Sequence, residues 1–457
     1  MRSPQQPGTM DTQPSDAPAA AVYPGCWVML NHRGHGRSYY CYPAEAENSV
    51  ATCLSSAGKS IQASFRLEAP PGNSALFLDW PDVPGLDEFQ GTEVIAAHGD
   101  SVLIQARDRG DVASSAPFEY FVYRAGGGGP PSMSRLPPCY VPMPWDTRDS
   151  RRRRREPRTM HSTDTGLLRR GAHELAVAQL TMYPSPELCV LRSSGPHRRL
   201  EWETKQPSVI YPDDDARGDV RWETDAAVPI GARFLICWVD YFIGLLLCDV
   251  LDDEPVLQYV PLPVEPNPQR HRRKLERPFK NARNIGTTAG GAVRFVSVDH
   301  RCCCGGLLES NCPRSRFFFT LTTWTLDMDS MTWTTDGVLH SDELWALPGY
   351  EDLPRVTPEF PVISMEDTDA VCLMVRHYGL DAPDRRIWMI KVDTRSKTLL
   401  SVVRYNTARY KELEEDNNDD DDGQSRYRAQ LLRRHNDESH DHFDDIGFIP
   451  SEFSKYL

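Results

Sequence analysis

The apolar positions of this chain fall in short runs that end at Gly, Pro, Asp or Asn, and helical periodicity is hard to find. Short runs rich in β-branched and aromatic residues are typical of strands joined by turns. The clearest group spans residues 166–211, where GLLRR, ELAVAQLTM, LCVLRS and RLEWETK are separated by turn sequences. This pattern predicts a meander of four antiparallel strands, which is the unit of a propeller blade.

The same unit recurs at residues 93–136, 228–262, 283–339 and 360–405. Once insertions are allowed for, a spacing of roughly 40–60 residues is typical of blade repeats. We therefore predict an all-β, propeller-like repeat of four-stranded antiparallel blades, five to six in number. The strands before residue 90 either complete a sixth blade with the C-terminal FIPSEFSKYL or form a small flanking sheet. Tandem β-sandwiches are the alternative, since no strict repeat motif is present.

Polar and charged segments divide the chain around these strands. Residues 1–22 are Pro-, Gln- and Ala-rich without an apolar core, which indicates a disordered leader and not a signal peptide. Residues 23–410 form the predicted propeller-like domain, with loops at 126–165 and 265–283. Residues 411–445 are an acidic insert, expected to be disordered because like charges repel. Residues 446–457 are expected to pack back on the domain.

Net charge and hydropathy limit the classes of partner that we expect for this protein. The net charge of −14 argues against nucleic acid as a general partner. The longest apolar stretch, FLICWVDYFIGLLLCDVL, is broken by Asp240 and Gly244 and falls short of the roughly 18 uninterrupted residues of a spanning helix. We therefore expect no membrane association and a location in the nucleus or cytoplasm. In those compartments the twelve cysteines are expected as thiols or metal ligands.

The segment WVDYFIGLLLCDVLDDEPVLQYVPLP, from Trp238 to Pro263, resembles the family called domain of unknown function 1618, which is expanded in grasses. The similarity continues through GAVRFVSVDHRCCCGG, FTLTTWTLD and IWMIKVDTRSKTLLSVVRY. The resemblance implies a plant protein but no established activity and no catalytic residues. Some relatives carry an F-box ahead of this domain. The first 60 residues here lack its Leu-rich helical start, so a direct ubiquitin-ligase adaptor role is not expected.

Local chemistry explains part of that segment. We predict that Gly244 supplies the positive φ of a tight hairpin. Asp240 and Asp249 end their apolar runs, where a carboxylate can accept hydrogen bonds from turn amides.

The cysteines in HRCCCGGLLESNC form the first candidate site. Zinc prefers four tetrahedral ligands, commonly in spaced pairs. His300, Cys302 and Cys304 share one parity, so an extended segment would place them on one face, with Cys312 as the fourth ligand and Cys303 pointing away. The competing interpretation is a cysteine-rich hairpin loop whose thiols pack. The sequence thus favours no cofactor, with zinc as the alternative.

The second candidate is the run Arg151, Arg152, Arg153, Arg154 and Arg155, which fits a nuclear-import peptide or a patch for an anionic partner. No catalytic site is predicted. His98, Asp100 and Ser101 lie too close in sequence for a catalytic triad, and no nucleophile-elbow, zinc-protease or phosphate-loop motif is present.

These observations predict a non-enzymatic recognition module that binds an unknown protein partner. One alternative is a metal-stabilised or redox-responsive regulatory protein that uses the Cys302–Cys312 cluster. A further hypothesis is a hydrolase built on carboxylates at the centre of the propeller.

Overall fold

The computed structural model describes residues 25–36, 44–81, 92–107, 117–144, 157–171, 174–194, 200–212, 221–264, 281–301, 317–376, 387–405 and 447–457. These residues form six small, mainly antiparallel sheets arranged as the blades of a propeller. The predicted all-β propeller is confirmed, with six blades. Helix is confined, in the described ranges, to α1 at Ser341–Trp345 and short 3₁₀ turns at Ala44–Ser49, Gly231–Arg233 and Phe453–Tyr456.

One sheet, the closing blade, joins both terminal regions of the described chain. Its strands are β1 Val28–Asn31, β2 His35–Gly36, β3 Ala51–Leu54, β4 Ser60–Arg66, β5 Asn73–Asp79 and β27 Phe448–Ser451. The order is β27-β1-β5-β4-β3, and β2 pairs with β5. Strand β27 pairs antiparallel with β1, so the C-terminal segment completes the sixth blade.

Blades 1 and 2 are simple meanders, each ordered as its strands occur in the chain. Blade 1 contains β6 Glu93–His98, β7 Ser101–Ala106, β8 Glu119–Arg124 and β9 Ser132–Arg135. Blade 2 contains β10 Thr165–Arg170, β11 Glu174–Thr181, β12 Glu187–Ser194 and β13 Trp202–Lys205. The two central strands of blade 2, β11 and β12, share eight register pairs, from Glu174↔Ser194 to Thr181↔Glu187.

Blade 3 has a fifth strand that the sequence pattern assigned to the preceding repeat. Its strands are β14 Ser208–Ile210, β15 Ala226–Ile230, β16 Leu235–Asp240, β17 Gly244–Cys248 and β18 Val256–Pro261. Strand β14 lies parallel to β18 at the outer edge. Residues 208–210 therefore belong to blade 3 and not to the 166–211 group, because β18 offers them an open edge and Val209 packs in the core between blades 2 and 3.

Blades 4 and 5 follow the same four-strand plan. Blade 4 contains β19 Arg283–Thr287, β20 Val293–His300, β21 Phe319–Asp327 and β22 Thr332–His340. Blade 5 contains β23 Glu359–Ile363, β24 Ala370–Arg376, β25 Ile387–Asp393 and β26 Thr398–Arg404. Every residue of β24 is buried, whereas β26 alternates between exposed and half-buried positions. This contrast is typical of an inner strand covered on both faces and an outer strand with one face toward solvent.

The hydrophobic core lies between the blades. Six clusters of buried apolar residues each draw on two adjacent blades. Between the closing blade and blade 1, for example, the ring centroids of Phe65 and Tyr123 are 4.8 Å apart. Contacts link β6, β10, β15, β19, β23 and β27 into a closed ring. The six innermost strands therefore surround one central axis.

The hairpin at Gly244 differs from its prediction. Gly244 does not have a positive φ. A Cβ at this position would instead lie 2.5 Å from Cε2 of Tyr259 and 2.7 Å from the carbonyl oxygen of Val260. Glycine is required there by close packing against β18. The predicted carboxylate bonds are present, since Asp240 accepts from the Phe242 amide and Asp249 from the Leu251 amide.

Candidate functional site

The innermost strands enclose an axial cavity of about 860 Å³ that all six blades line. Apolar residues of the inner strands contribute to its wall, among them Ile95, Ala97, Val228, Ile285 and Phe360. Polar side chains gather toward the two ends of strand β6. We name these groups the His32 end, with His32, Glu93, His161 and Ser162, and the His98 end, with His98, Asp100, Arg169 and Glu452.

The His98 end is organised by a backbone hydrogen bond. His98 closes β6, and its Nδ1 accepts a hydrogen bond from the Arg169 amide at 2.8 Å. The imidazole proton is therefore on Nε2. Burial lowers the pKa of His98 to about 4, although the carboxylates of Glu452 and Asp100 oppose this shift. At neutral pH the ring is an uncharged donor.

Space for this ring depends on Gly231, which follows β15. A Cβ on Gly231 would lie 2.5 Å from Nε2 of His98. A glycine at this position therefore leaves the nitrogen that carries the proton free of steric overlap. The imidazole and the glycine that it packs against come from two different blades.

Asp100 has partners within the protein. Nε of Arg169 lies 3.0 Å from one of its carboxylate oxygens, and the Ser101 hydroxyl donates to it at 2.6 Å. Ser101 is fully buried, and the acceptor nitrogen of His98 is occupied by the Arg169 amide. The arrangement of His98, Asp100 and Ser101 is therefore not that of a serine-hydrolase triad.

The His32 end pairs a histidine with a carboxylate. His32 Nδ1 donates to the Val94 carbonyl at 2.9 Å, and Nε2 lies 3.4 Å from an oxygen of Glu93. The Ser162 hydroxyl is 3.4 Å from the same nitrogen. The hydrogen bond with His32 holds the pKa of Glu93 below its usual value, with a smaller contribution from the nearby His161.

A fourth carboxylate on the wall, Asp225, precedes β15. It accepts a hydrogen bond from the Tyr241 amide at 2.9 Å. The charged side chains described at the cavity are thus largely matched by ion pairs or by hydrogen bonds inside the protein. The cavity presents hydrogen-bonding groups with few unmatched charges.

Of the predicted site residues, only His300 falls in the described part of the chain, and it does not line the axial cavity. His300 ends β20 opposite Phe319. Cys302, Cys304, Cys312 and the run Arg151–Arg155 fall outside the described residues, so zinc binding and nuclear import stay predictions. Where side chains are described, no group of three or more His, Cys, Asp or Glu is placed to hold a metal ion. In that same part of the chain, no helix has the length and apolar character needed to cross a bilayer.

No sequence motif marks the His32 end, and none of its residues was predicted as a site residue. His32, Glu93 and Ser162 are separated by 61 and 69 residues, and each is an ordinary polar residue at a strand end or turn. The available signal was their position at the ends of the inner strands of predicted blades.

Residues 238–372 match the family described as "Protein of unknown function (DUF1618)". No curated protein matches the chain.

Several solved structures align with most of this chain. A hypothetical selenium-binding protein from Sulfolobus tokodaii is 12% identical, with 83% of this chain and 81% of that chain covered and a TM-score of 0.36. A periplasmic gluconolactonase from Pseudomonas aeruginosa is 14% identical, with 83% and 96% covered and a TM-score of 0.33. The Nup133 β-propeller domain of Vanderwaltozyma polyspora is 8% identical, with 70% and 91% covered and a TM-score of 0.27. These likenesses are too distant to bear on function.

Proposed function

We propose that this protein, whose residues 238–372 match the DUF1618 family, is a non-enzymatic recognition module that binds a small, uncharged polar ligand in the axial cavity. The observation that carries this proposal is a cavity whose charges are matched internally and whose His98 end presents a neutral Nε2–H donor.

Size supports a small ligand. Pockets that bind small molecules commonly occupy about 300–1,000 Å³ and combine an apolar wall with a few placed polar groups. The axial cavity, at about 860 Å³, has this composition, since its wall combines apolar residues with the polar groups of the His32 end and the His98 end.

Charge supports an uncharged ligand. Asp100 is paired with Arg169, and Glu93 with His32. An anionic or cationic ligand would have to compete with these pairs and would lose hydration in return. A ligand with hydroxyl or amide groups can accept from Nε2 of His98 and keep the pairs intact.

The test uses matched probes of equal size, namely glucose, glucuronate and glucosamine, together with neutral, acidic and basic dipeptides. Saturation-transfer NMR and calorimetry on the full chain at pH 7 measure binding. We expect neutral members to bind at least about tenfold more tightly than their charged analogues, a difference of about 1.4 kcal/mol.

His98→Phe should abolish the preference, because it keeps a ring and removes the donor. Glu203→Gln, on the partly exposed outer strand β13, is the control and should leave binding unchanged. Tighter binding of a charged analogue, or binding that His98→Phe does not alter, would contradict the proposal.

A second candidate function is protein binding on the outer edge of blade 5. Leu400 and Val402 lie on one face of β26 and are 48% and 38% exposed. Strand β26 is the last strand of its sheet among the described residues. Exposed apolar residues on an edge strand favour docking of a partner strand.

A double variant tests this second function. Leu400→Asp with Val402→Asp should remove any partner that is cross-linked to the wild-type chain in an extract of its source cells. Leu54→Asp is the matched control, because Leu54 is 60% exposed on another blade. Equal capture by both variants would exclude the edge of blade 5 as the docking surface.

A further inference from the structure

Two buried cysteines from neighbouring blades lie in contact. Cys139 follows β9 of blade 1, and Cys189 is on β12 of blade 2. Their Sγ atoms are 3.5 Å apart, and the side chains pack in the core shared by the two blades. A disulfide has an S–S distance of 2.03–2.05 Å, so the sulfur atoms need to approach by only about 1.5 Å.

An arginine holds the two sides of this contact together. The backbone amide of Arg158 donates to the carbonyl of Cys139 at 2.7 Å. Its guanidinium donates to the Val141 and Pro142 carbonyls and forms an ion pair with Glu187, two residues before Cys189. The Arg158 side chain is only 2% exposed, so its positive charge is retained beside the thiols.

These surroundings distinguish Cys139 from the buried cysteines of blades 3 and 5. The hydrogen bond with the Cys189 thiol, and to a smaller extent the charge of Arg158, hold the pKa of Cys139 below its usual value. In contrast, burial raises the pKa of Cys248 and of Cys372 to about 12. Because the thiolate is the reactive form, Cys139 is the better nucleophile of these three.

We propose that Cys139 and Cys189 are an oxidative modification site and form a reversible disulfide between blades 1 and 2 when the protein meets a peroxide. The sulfur of Cys139 attacks one peroxide oxygen, which gives a sulfenic acid and releases the first water. The Cys189 thiol then displaces the hydroxyl group as the second water, and the S–S bond forms. Two thiols are oxidised and one hydrogen peroxide is reduced to two waters.

This disulfide also lies next to the chain that lines the cavity. Arg158, bonded to the backbone of Cys139, is three residues before His161 and four before Ser162 at the His32 end. The bond would fix the path of residues 157–162 against blade 1. The disulfide itself does not depend on what the cavity binds.

The test oxidises the folded full chain with hydrogen peroxide, quenches with catalase, blocks free thiols with N-ethylmaleimide and maps disulfides by mass spectrometry. We expect a peptide that joins Cys139 to Cys189, with the loss of two hydrogen atoms, and its disappearance after dithiothreitol. The native chain should give at least about tenfold more of it than the chain unfolded in urea, because the fold holds the thiols in contact.

Cysteine-to-serine variants identify the thiols that form the disulfide. Cys189→Ser should remove the joined peptide, while Cys248→Ser, at a buried cysteine of blade 3, should leave it unchanged. Circular dichroism of both variants checks folding, and the wild-type measurement does not depend on either. The proposal is overturned if both thiols stay reduced in the oxidised native chain, if the peptide forms only in urea, or if Cys139 joins a different cysteine in the native chain.

Discussion

The two ends of the axial cavity use the same residue type in opposite ways. At the His32 end, Nε2 of the imidazole lies 3.4 Å from a carboxylate oxygen of Glu93. At the His98 end, the imidazole is packed against Gly231 and its acceptor nitrogen is occupied by a backbone amide. Both ends meet on strand β6, which begins at Glu93 and finishes at His98. The comparison shows that each histidine is oriented by groups from the neighbouring blade, by the Glu93 carboxylate and the Val94 carbonyl for His32 and by the Arg169 amide for His98.

The largest expected loss of stability comes from removing the buried ring of Phe453, which lies behind the His98 end. Phe453 directly follows Glu452, is fully buried, and has its ring centroid 4.8 Å from that of Phe65. Phe453→Ala should lower the free energy of unfolding by about 3–5 kcal/mol, because it opens a cavity between the closing blade and blade 1. Urea denaturation measures this change. Leu400→Ala, at a 48% exposed position, is the control, and a loss no greater than the control's would contradict this account.

The next largest expected change in stability depends on pH and belongs to the His98 end. The pKa of His98 is lowered to about 4 in the folded chain, against 6.5 in the unfolded chain. Between these values the unfolded chain binds more protons, so stability falls as the pH drops from 6.5 to 4. The loss over this range should be on the order of 3 kcal/mol. His98→Asn should not show this loss, so its free energy of unfolding should fall by about 3 kcal/mol less than that of the wild type between pH 6.5 and pH 4. Denaturation at a series of pH values measures the difference. An unchanged pH profile would show that His98 is not held neutral.

The smallest expected change in stability comes from the Glu93–His32 pair at the His32 end. The pKa of Glu93 is lowered by His32, so its contribution to stability is complete above the unfolded pKa of about 4.5 and is lost as the pH falls through the folded value. The Glu93 side chain is 33% exposed, and solvent screening should limit the cost of Glu93→Gln at pH 7 to about 1 kcal/mol or less. Thermal denaturation at pH 7 and at pH 3 measures the difference, with Glu203→Gln as control. A cost at pH 7 as large as that of Phe453→Ala would contradict this ranking.

Much of the fold was predictable, because the strands of each blade are consecutive and bounded by turn residues. The meander GLLRR to RLEWETK became β10 to β13. The assignment was wrong where pairing is not local, since β14 follows blade 2 in the chain but pairs with β18 of blade 3. The reason given for Gly244 was also wrong, because the side chain that excludes a Cβ, Tyr259, lies on the next strand. Nothing in the hairpin sequence itself reveals this contact.

The site was less predictable than the fold. In the sequence, His98 is notable only for its nearness to Asp100 and Ser101, whereas in the fold it ends the innermost strand of blade 1 and lines the cavity. Cys139 and Cys189 are 50 residues apart and meet only because blades 1 and 2 pack face to face. The only cysteine site that the sequence suggested, as an alternative to simple packing, lies between Cys302 and Cys312. Residues from separate blades converge through the ring closure, which is a property of the whole domain and not of any motif.

The central claim is that the axial cavity presents a neutral His98 with its proton on Nε2. Long-range ¹H–¹⁵N correlation spectra of the histidine rings, recorded from pH 7.5 to pH 4 and assigned with His98→Asn, test it most directly. We predict that His98 shows the neutral form protonated on Nε2 at pH 7.5 and remains mainly neutral until the pH approaches 4. Titration of His98 near 6.5, or a neutral form with the proton on Nδ1, would contradict it.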